Sequence, residues 1–131
     1  MHNKFQEYLY FVFRVVVGLL FLQHGGQKLF GWFGGLGGNP AELVSLMGLA
    51  GVIEFFGGLA IVLGLFTRLT AAIAAIEMIV AYFVAHTPQG QIPLLNKGEP
   101  ALLFFASFLV LLAYGPGKWS LGKLIFKKEI L

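Results

Sequence analysis

The chain has 131 residues, of which 58% are hydrophobic and 11% charged, with a formal net charge of +3 and no cysteine. A soluble domain carries about 25% charged residues, so a water-facing globule of this composition would lack the polar groups to cover its surface. This argues against a soluble enzyme, a disordered chain and a nucleic-acid-binding domain, and the missing cysteines exclude thiol redox chemistry, disulfides and thiolate metal sites within the chain.

Four long apolar stretches follow in chain order, from about Phe5 to Leu29, Ala41 to Phe66, Leu69 to His86 and Pro100 to Tyr114. A helix needs about 20 apolar residues to cross the hydrocarbon core. The first two stretches are ample, and the last two sit near the short limit. Nothing alternates with period two, so all four are expected to be helices. The first is too long for a cleaved signal peptide, and no small-residue cleavage site follows it.

The breaks are chemically marked. Gly31 to Pro40 is a glycine-rich loop carrying Trp32 and Phe33, and Asn39-Pro40-Ala41-Glu42 reads as a helix start. Gly64 to Arg68 is a tight turn, Thr87 to Glu99 a polar loop, and Gly115-Pro116-Gly117 a stop. Residues 118–131 place Leu121, Leu124, Ile125 and Phe126 among Lys123, Lys127 and Lys128, the pattern of a short amphipathic helix on the membrane surface.

The expected fold is therefore an all-α integral membrane protein. Residues 1–117 form a four-transmembrane-helix bundle, and 118–131 a basic interfacial tail. Lys4, Arg68, Lys118, Lys123, Lys127 and Lys128 fall on one side, Lys28 and Lys97 on the other. The positive-inside rule then places both termini in the cytoplasm of a multi-pass cell-membrane protein.

Ionisable residues within membrane helices cost at least about 2.5–3.5 kcal/mol at mid-bilayer, so they carry the information. Arg14, Glu54 and Glu77 are the clearest cases. On helix one, Arg14, Gly18, Phe21, His24, Gly25 and Lys28 share a sector of about 120°. Glu54 shares a face with Gly51, Gly57 and Gly58, and Glu77 with Thr70, Ala74 and Ala81. Small residues let a neighbouring helix approach, so both glutamates are expected to point inward. At 1.5 Å per residue, Arg14 and Glu77 lie about 12 Å from the inner boundary and Glu54 about one turn deeper.

The expectation is that Arg14 pairs with a carboxylate. It cannot neutralise both, so the other glutamate is expected to hold a proton, a hydrogen bond or a water. His24, His86, Lys28, Asn96, Lys97 and Glu99 are expected to form a polar mouth at the outer rim. Blander readings stand beside these: a buried pair fixing register, a lysine reaching the headgroups, glycines serving helix packing, and Trp32, Trp119 and Tyr8 in the interfacial belt.

The chain carries no nucleotide fingerprint, nucleophile elbow or paired metal-ligand spacing. Two histidines on separate helices leave a b-type haem as a minor alternative. A polar pocket in an apolar bundle suits an amphipathic molecule with a hydrogen-bonding head, and a quinone fits that description.

Arg14-Val-Val-Val-Gly18-Leu-Leu-Phe21-Leu-Gln-His24-Gly25-Gly-Gln-Lys28-Leu-Phe-Gly31 resembles the first-helix signature of the DoxX family of small bacterial and archaeal membrane proteins. Glu54-Phe-Phe-Gly57-Gly58, Gly64-Leu-Phe-Thr67-Arg68, Asn96-Lys97-Gly98-Glu99 and Gly115-Pro116-Gly117-Lys-Trp-Ser120-Leu121 resemble its later segments, so the resemblance covers nearly the whole chain. Gly122 departs from it, standing where the family often has an acidic residue. The resemblance implies a four-helix membrane protein, often labelled an oxidoreductase and linked to thiosulfate–quinone chemistry, quinone tolerance and membrane redox complexes. It carries over to Arg14, His24, Lys28, Glu54, Arg68, Asn96 and Glu99.

The expected function is a quinone-interacting subunit of membrane redox chemistry. Glu54, Glu77 and His24 would handle protons, and Arg14, Lys28, Arg68, Asn96 and Glu99 would bind substrate. No intrinsic cofactor or metal is expected. Electrons would come from a donor or a partner membrane or redox subunit, and a homo-oligomer, membrane lipids and quinone are the other expected partners. The alternatives are a small-solute or lipid binding or transport protein, and a structural subunit of a larger membrane complex.

Overall fold

A computed structural model describes residues 3–37 and 40–131. All described regular structure is helical. Helix α1 (Lys4–Phe30) starts on Asn3, whose side chain accepts the Gln6 N–H at 2.9 Å, and stops at Gly31 with φ +72°. Helix α2 (Leu46–Leu63) starts on Ser45, whose hydroxyl accepts the Gly48 N–H at 2.9 Å, and stops at Gly64. Helix α3 (Thr67–Ala81) runs on through a π-helical turn (Tyr82–His86) and a 3-10 turn (Thr87–Gln89). The short α4 (Pro93–Asn96) precedes α5 (Glu99–Tyr114), and α6 (Leu121–Phe126) lies near the chain's end.

Among the described residues, three segments are long and apolar enough to cross a membrane: Lys4–Phe30, Leu46–Leu63 and Thr67–Gln89. Helix α5 is the shorter apolar one, its 16 residues rising about 24 Å. Large apolar side chains such as Leu19, Phe56, Ile76 and Leu103 face outward. A soluble monomer does not expose so much apolar surface, and a lipid-embedded bundle must.

The second helix starts later than the sequence suggests. Asn39, the first residue of the expected helix start, lies outside the described residues, as does Gly38. The segment after them is not helical, because the Ala41 N–H turns back to the Lys28 carbonyl at 2.8 Å, holding 40–45 against the end of α1. Ser45 takes over as cap.

Helices α1 and α2 pack closely along their glycines. A Cβ on Gly18 would lie 2.7 Å from the Val62 side chain and 2.9 Å from the Gly58 carbonyl, and one on Gly25 would run into the Phe55 backbone. This is the small-residue packing of membrane helices. Helix α3 lays buried Ala71, Ala74 and Ala75 toward α5, which answers with buried Phe108 and Leu111. Phe21 joins the two pairs, with ring centroids 4.6 Å from Phe108 and 5.4 Å from Phe104.

Both ends of the described chain meet at one end of the bundle. Trp119 stacks on Tyr8 at 4.9 Å, and Lys118 lies 3.6 Å from Glu7. The helical part of the tail is six residues long, and the tail is tied to the α2–α3 turn. The Gly122 N–H reaches the Gly64 carbonyl at 3.3 Å, and the Leu69 N–H reaches Leu131 at 3.0 Å. A side chain at Gly64 would collide with Ser120, which is why the turn and tail fit together. We call this the terminal end, and the opposite end, with residues 31–37, 40–45 and 87–98, the loop end.

Candidate functional site

The buried charges meet near the loop end. Lys28 Nζ lies 2.7 Å from Glu54 Oε1, with side chains 16% and 2% exposed. Glu77 lies within electrostatic reach of Glu54 and Lys28, and its Oε1 is buried without a hydrogen-bond partner. His24 lies within electrostatic reach of Lys28 and Glu54, edge-on to Phe104 at 5.5 Å. Three helices thus bring two carboxyl groups, one ammonium and one imidazole together, above the Phe21–Phe104–Phe108 aromatic group.

Helix geometry explains this convergence. Every Cα–Cβ bond leans toward its helix's N-terminus. Helices α1 and α2 are antiparallel, so Lys28 leans from the loop end toward Gly25 while Glu54 leans toward the loop end. Gly25 sits against Phe55, which puts Lys28 about two residues, or about 3 Å, above Glu54. The lean and the long lysine chain close that gap.

The same lean carries Arg14 away from the glutamates, so the expected Arg14–carboxylate pair does not form. Arg14 is buried, and its guanidinium donates to four carbonyls: Ile61 at 3.0 Å, Val62 at 3.1 Å, Trp119 at 2.7 Å and Pro116. It therefore satisfies the C-terminal carbonyls of α2 and ties them to the tail. A cation there also complements the helix dipole. Arg14 lies deeper toward the terminal end than expected, its guanidinium meeting the Ile61 carbonyl seven residues beyond Glu54, or about 10 Å.

The remaining expected ligands are dispersed. Arg68 plays Arg14's part for α5, donating to Leu112 and Ala113 at 2.7 Å each and to Glu129 at 2.9 Å. It belongs to the terminal end. Asn96 is fully buried and its side chain is committed. Its amide donates to Gly90 at 2.9 Å and Tyr82 at 3.3 Å, and its oxygen accepts the Gly98 N–H at 2.8 Å. His86 Nδ1 faces the Asn96 carbonyl at 3.1 Å, so it serves the same loop rather than facing His24. Glu99 is exposed in the first turn of α5. These residues do not form one outer mouth.

What opens beside the cluster is a cavity of about 360 Å³ between the end of α1 and the start of α2, lined by Lys28, Gln27, Leu36, Glu42 and Ser45 among others. Lys28 belongs to both the cavity and the ion pair. Gln27, Glu42 and Ser45 were not singled out by the sequence, because their proximity depends on segment 40–45 folding back rather than continuing as helix. The closeness of Lys28 to Glu54 was legible in principle, from the glycine register and the opposed lean of two antiparallel helices.

Comparison with known proteins places the chain among membrane proteins. A Haemophilus influenzae protein described as uncharacterized is 38% identical, over 96% of this chain and 97% of that protein. The Escherichia coli inner membrane protein YqjF is 29% identical, over 96% of this chain and 98% of its own length. The uncharacterized membrane protein Rv3486 of Mycobacterium tuberculosis is 30% identical, over 88% and 80%. No solved structure matches. The DoxX family model matches residues 9–87, a span holding most of α1, all of α2 and α3, and every member of the Lys28–Glu54–Glu77–His24 cluster. The chain belongs to the DoxX family.

Proposed function

We propose that the protein spans the membrane four times with both termini in the cytoplasm, and that it is a quinone-interacting subunit of membrane redox chemistry. In this reading its proton-handling centre is Lys28–Glu54–Glu77. The observation that supports it is the buried Lys28–Glu54 ion pair with an unpartnered buried oxygen of Glu77 in the same cluster. One lysine balances one carboxylate. The second carboxyl group is neutral only with a proton, which two neighbouring carboxyls share. A shared proton next to a cavity is a proton that can be handed over.

The residues fit a quinone head group by their chemistry. Lys28 is a hydrogen-bond donor at the cavity for a carbonyl oxygen, and the unpartnered Glu77 oxygen is a proton carrier behind it. Exposed apolar helix faces lead from the lipid to this level. A quinone's reduction consumes two electrons and two protons. In this proposal Lys28 orients the head group, Glu54 and Glu77 hold the exchangeable proton, His24 relays protons at the rim, and the electrons come from a partner subunit or donor.

The clustering of lysines and arginines at the terminal end supports the orientation. The test is mass spectrometry of small molecules that co-purify with the gently extracted protein. Quinone present with the native chain and depleted by Lys28→Met or Glu77→Gln supports the reading. Bulk phospholipid alone, unchanged by either substitution, refutes it and favours a structural subunit.

A further inference from the structure

A second buried cation stands apart from this cluster, and no carboxylate balances it. Arg14 is 2% exposed and takes part in no ion pair among the described residues. Its guanidinium has five N–H donors, and carbonyls take four of them. One N–H of Nη2 is left over. Carbonyl dipoles and the Phe11 ring, 5.2 Å away, solvate the guanidinium, but no formal negative charge balances it.

Arg14 also lies at the floor of a groove of about 570 Å³ at the terminal end. Phe11, Val62, Leu63 and Leu124 are among its walls, and Lys118 and Lys123 also line it. The nearby acids are already engaged: Glu7 lies 3.6 Å from Lys118, and Glu129 is held by Arg68. Phe11, Leu63 and Leu124 are exposed, so the apolar walls continue onto the surface that faces lipid. Trp119, under the Lys118 ammonium at 5.6 Å, closes the side against α1.

We infer that this groove binds an anionic phospholipid, its phosphate held by Lys118, Lys123 and the free N–H of Arg14 and its first acyl carbons lying along Phe11, Val62 and Leu63. Charge and shape both select this occupant. Three cations, of which only Lys118 has a carboxylate partner, at 3.6 Å, leave a net positive charge that calls for an anion, and apolar walls open to the bilayer call for one carrying a hydrocarbon chain. The bound lipid would join the end of α2, the tail and α1.

The experiment is native mass spectrometry of the full chain in detergent, titrated with phosphatidylglycerol or phosphatidylcholine. One phosphatidylglycerol is expected to be retained per chain, and phosphatidylcholine much more weakly. K118Q/K123Q should weaken phosphatidylglycerol binding about thirtyfold, the combined effect of two lysines at a lipid phosphate. The charge-preserving K118R/K123R variant should keep it. K127Q/K128Q removes as much charge outside the groove and should change binding by less than about threefold. Equal retention of both lipids overturns the proposal, as does an equal loss in the two glutamine variants, which would mean attraction to the basic tail at large.

Discussion

Replacing Lys28 by methionine removes the ammonium from the Lys28–Glu54–Glu77 cluster while keeping most of the side-chain volume. The lysine lies 2.7 Å from Glu54 with both side chains largely buried. Removing one partner of a buried pair costs about 3–5 kcal/mol. A carboxyl left without its cation can take up a proton, which sets the expected cost near the lower end, about 3 kcal/mol. The K28M/E54Q double variant leaves no unbalanced charge and should recover much of that loss. A double-mutant cycle, read from reversible unfolding in mixed micelles, should therefore give a coupling of at least about 1.5 kcal/mol. A coupling below about 0.5 kcal/mol would mean that Lys28 lies in the headgroups and that the pair contributes nothing.

Other outcomes follow from the packing. Gly25→Leu drives a side chain into the Phe55 backbone and should destabilise by about 1–3 kcal/mol or more, seen as a lower melting temperature. Arg14→Lys replaces a planar fork bound to four carbonyls by a point charge; stability should fall by about 2 kcal/mol, while quinone retention should not change. Asn96→Leu leaves the Gly98 N–H and the Gly90 carbonyl without their partner. It should cost about 1–3 kcal/mol, and hydrogen exchange should quicken in 90–98 and not in α1.

Much of the bundle was legible because membrane helices must be long, apolar and internally hydrogen-bonded. The inward direction of Glu54 and Glu77 was legible from the glycines and alanines sharing their faces. The glycines proved to be packing contacts, as the blander reading had it. The partner of each charge was harder to read. Facial arithmetic puts Arg14, His24 and Lys28 on one stripe, but the direction in which a side chain leans decides which end of the neighbouring helix it reaches. Arg14 leans to the carbonyls ending α2, and Lys28 leans to Glu54.

Two further features were hidden for local reasons. The start of α2 was misread because Pro40 and Glu42 suit a helix's first turn, yet the Ala41 N–H finds the Lys28 carbonyl instead. Asn96 looked like a ligand because it is a polar residue at a loop. Its full burial and three side-chain hydrogen bonds, which hold the loop to Tyr82, Gly90 and Gly98, depend on contacts that spacing does not encode.

The central claim is that Glu54 and Glu77 share a proton beside a ligand cavity. Infrared difference spectroscopy of the membrane-reconstituted protein, with and without a short-chain quinone, tests it most directly. The account predicts a protonated-carboxyl band in the resting protein that shifts when the quinone is added and disappears in Glu77→Gln. A band that is absent, or one that is indifferent to quinone and survives in Glu77→Gln, would contradict it.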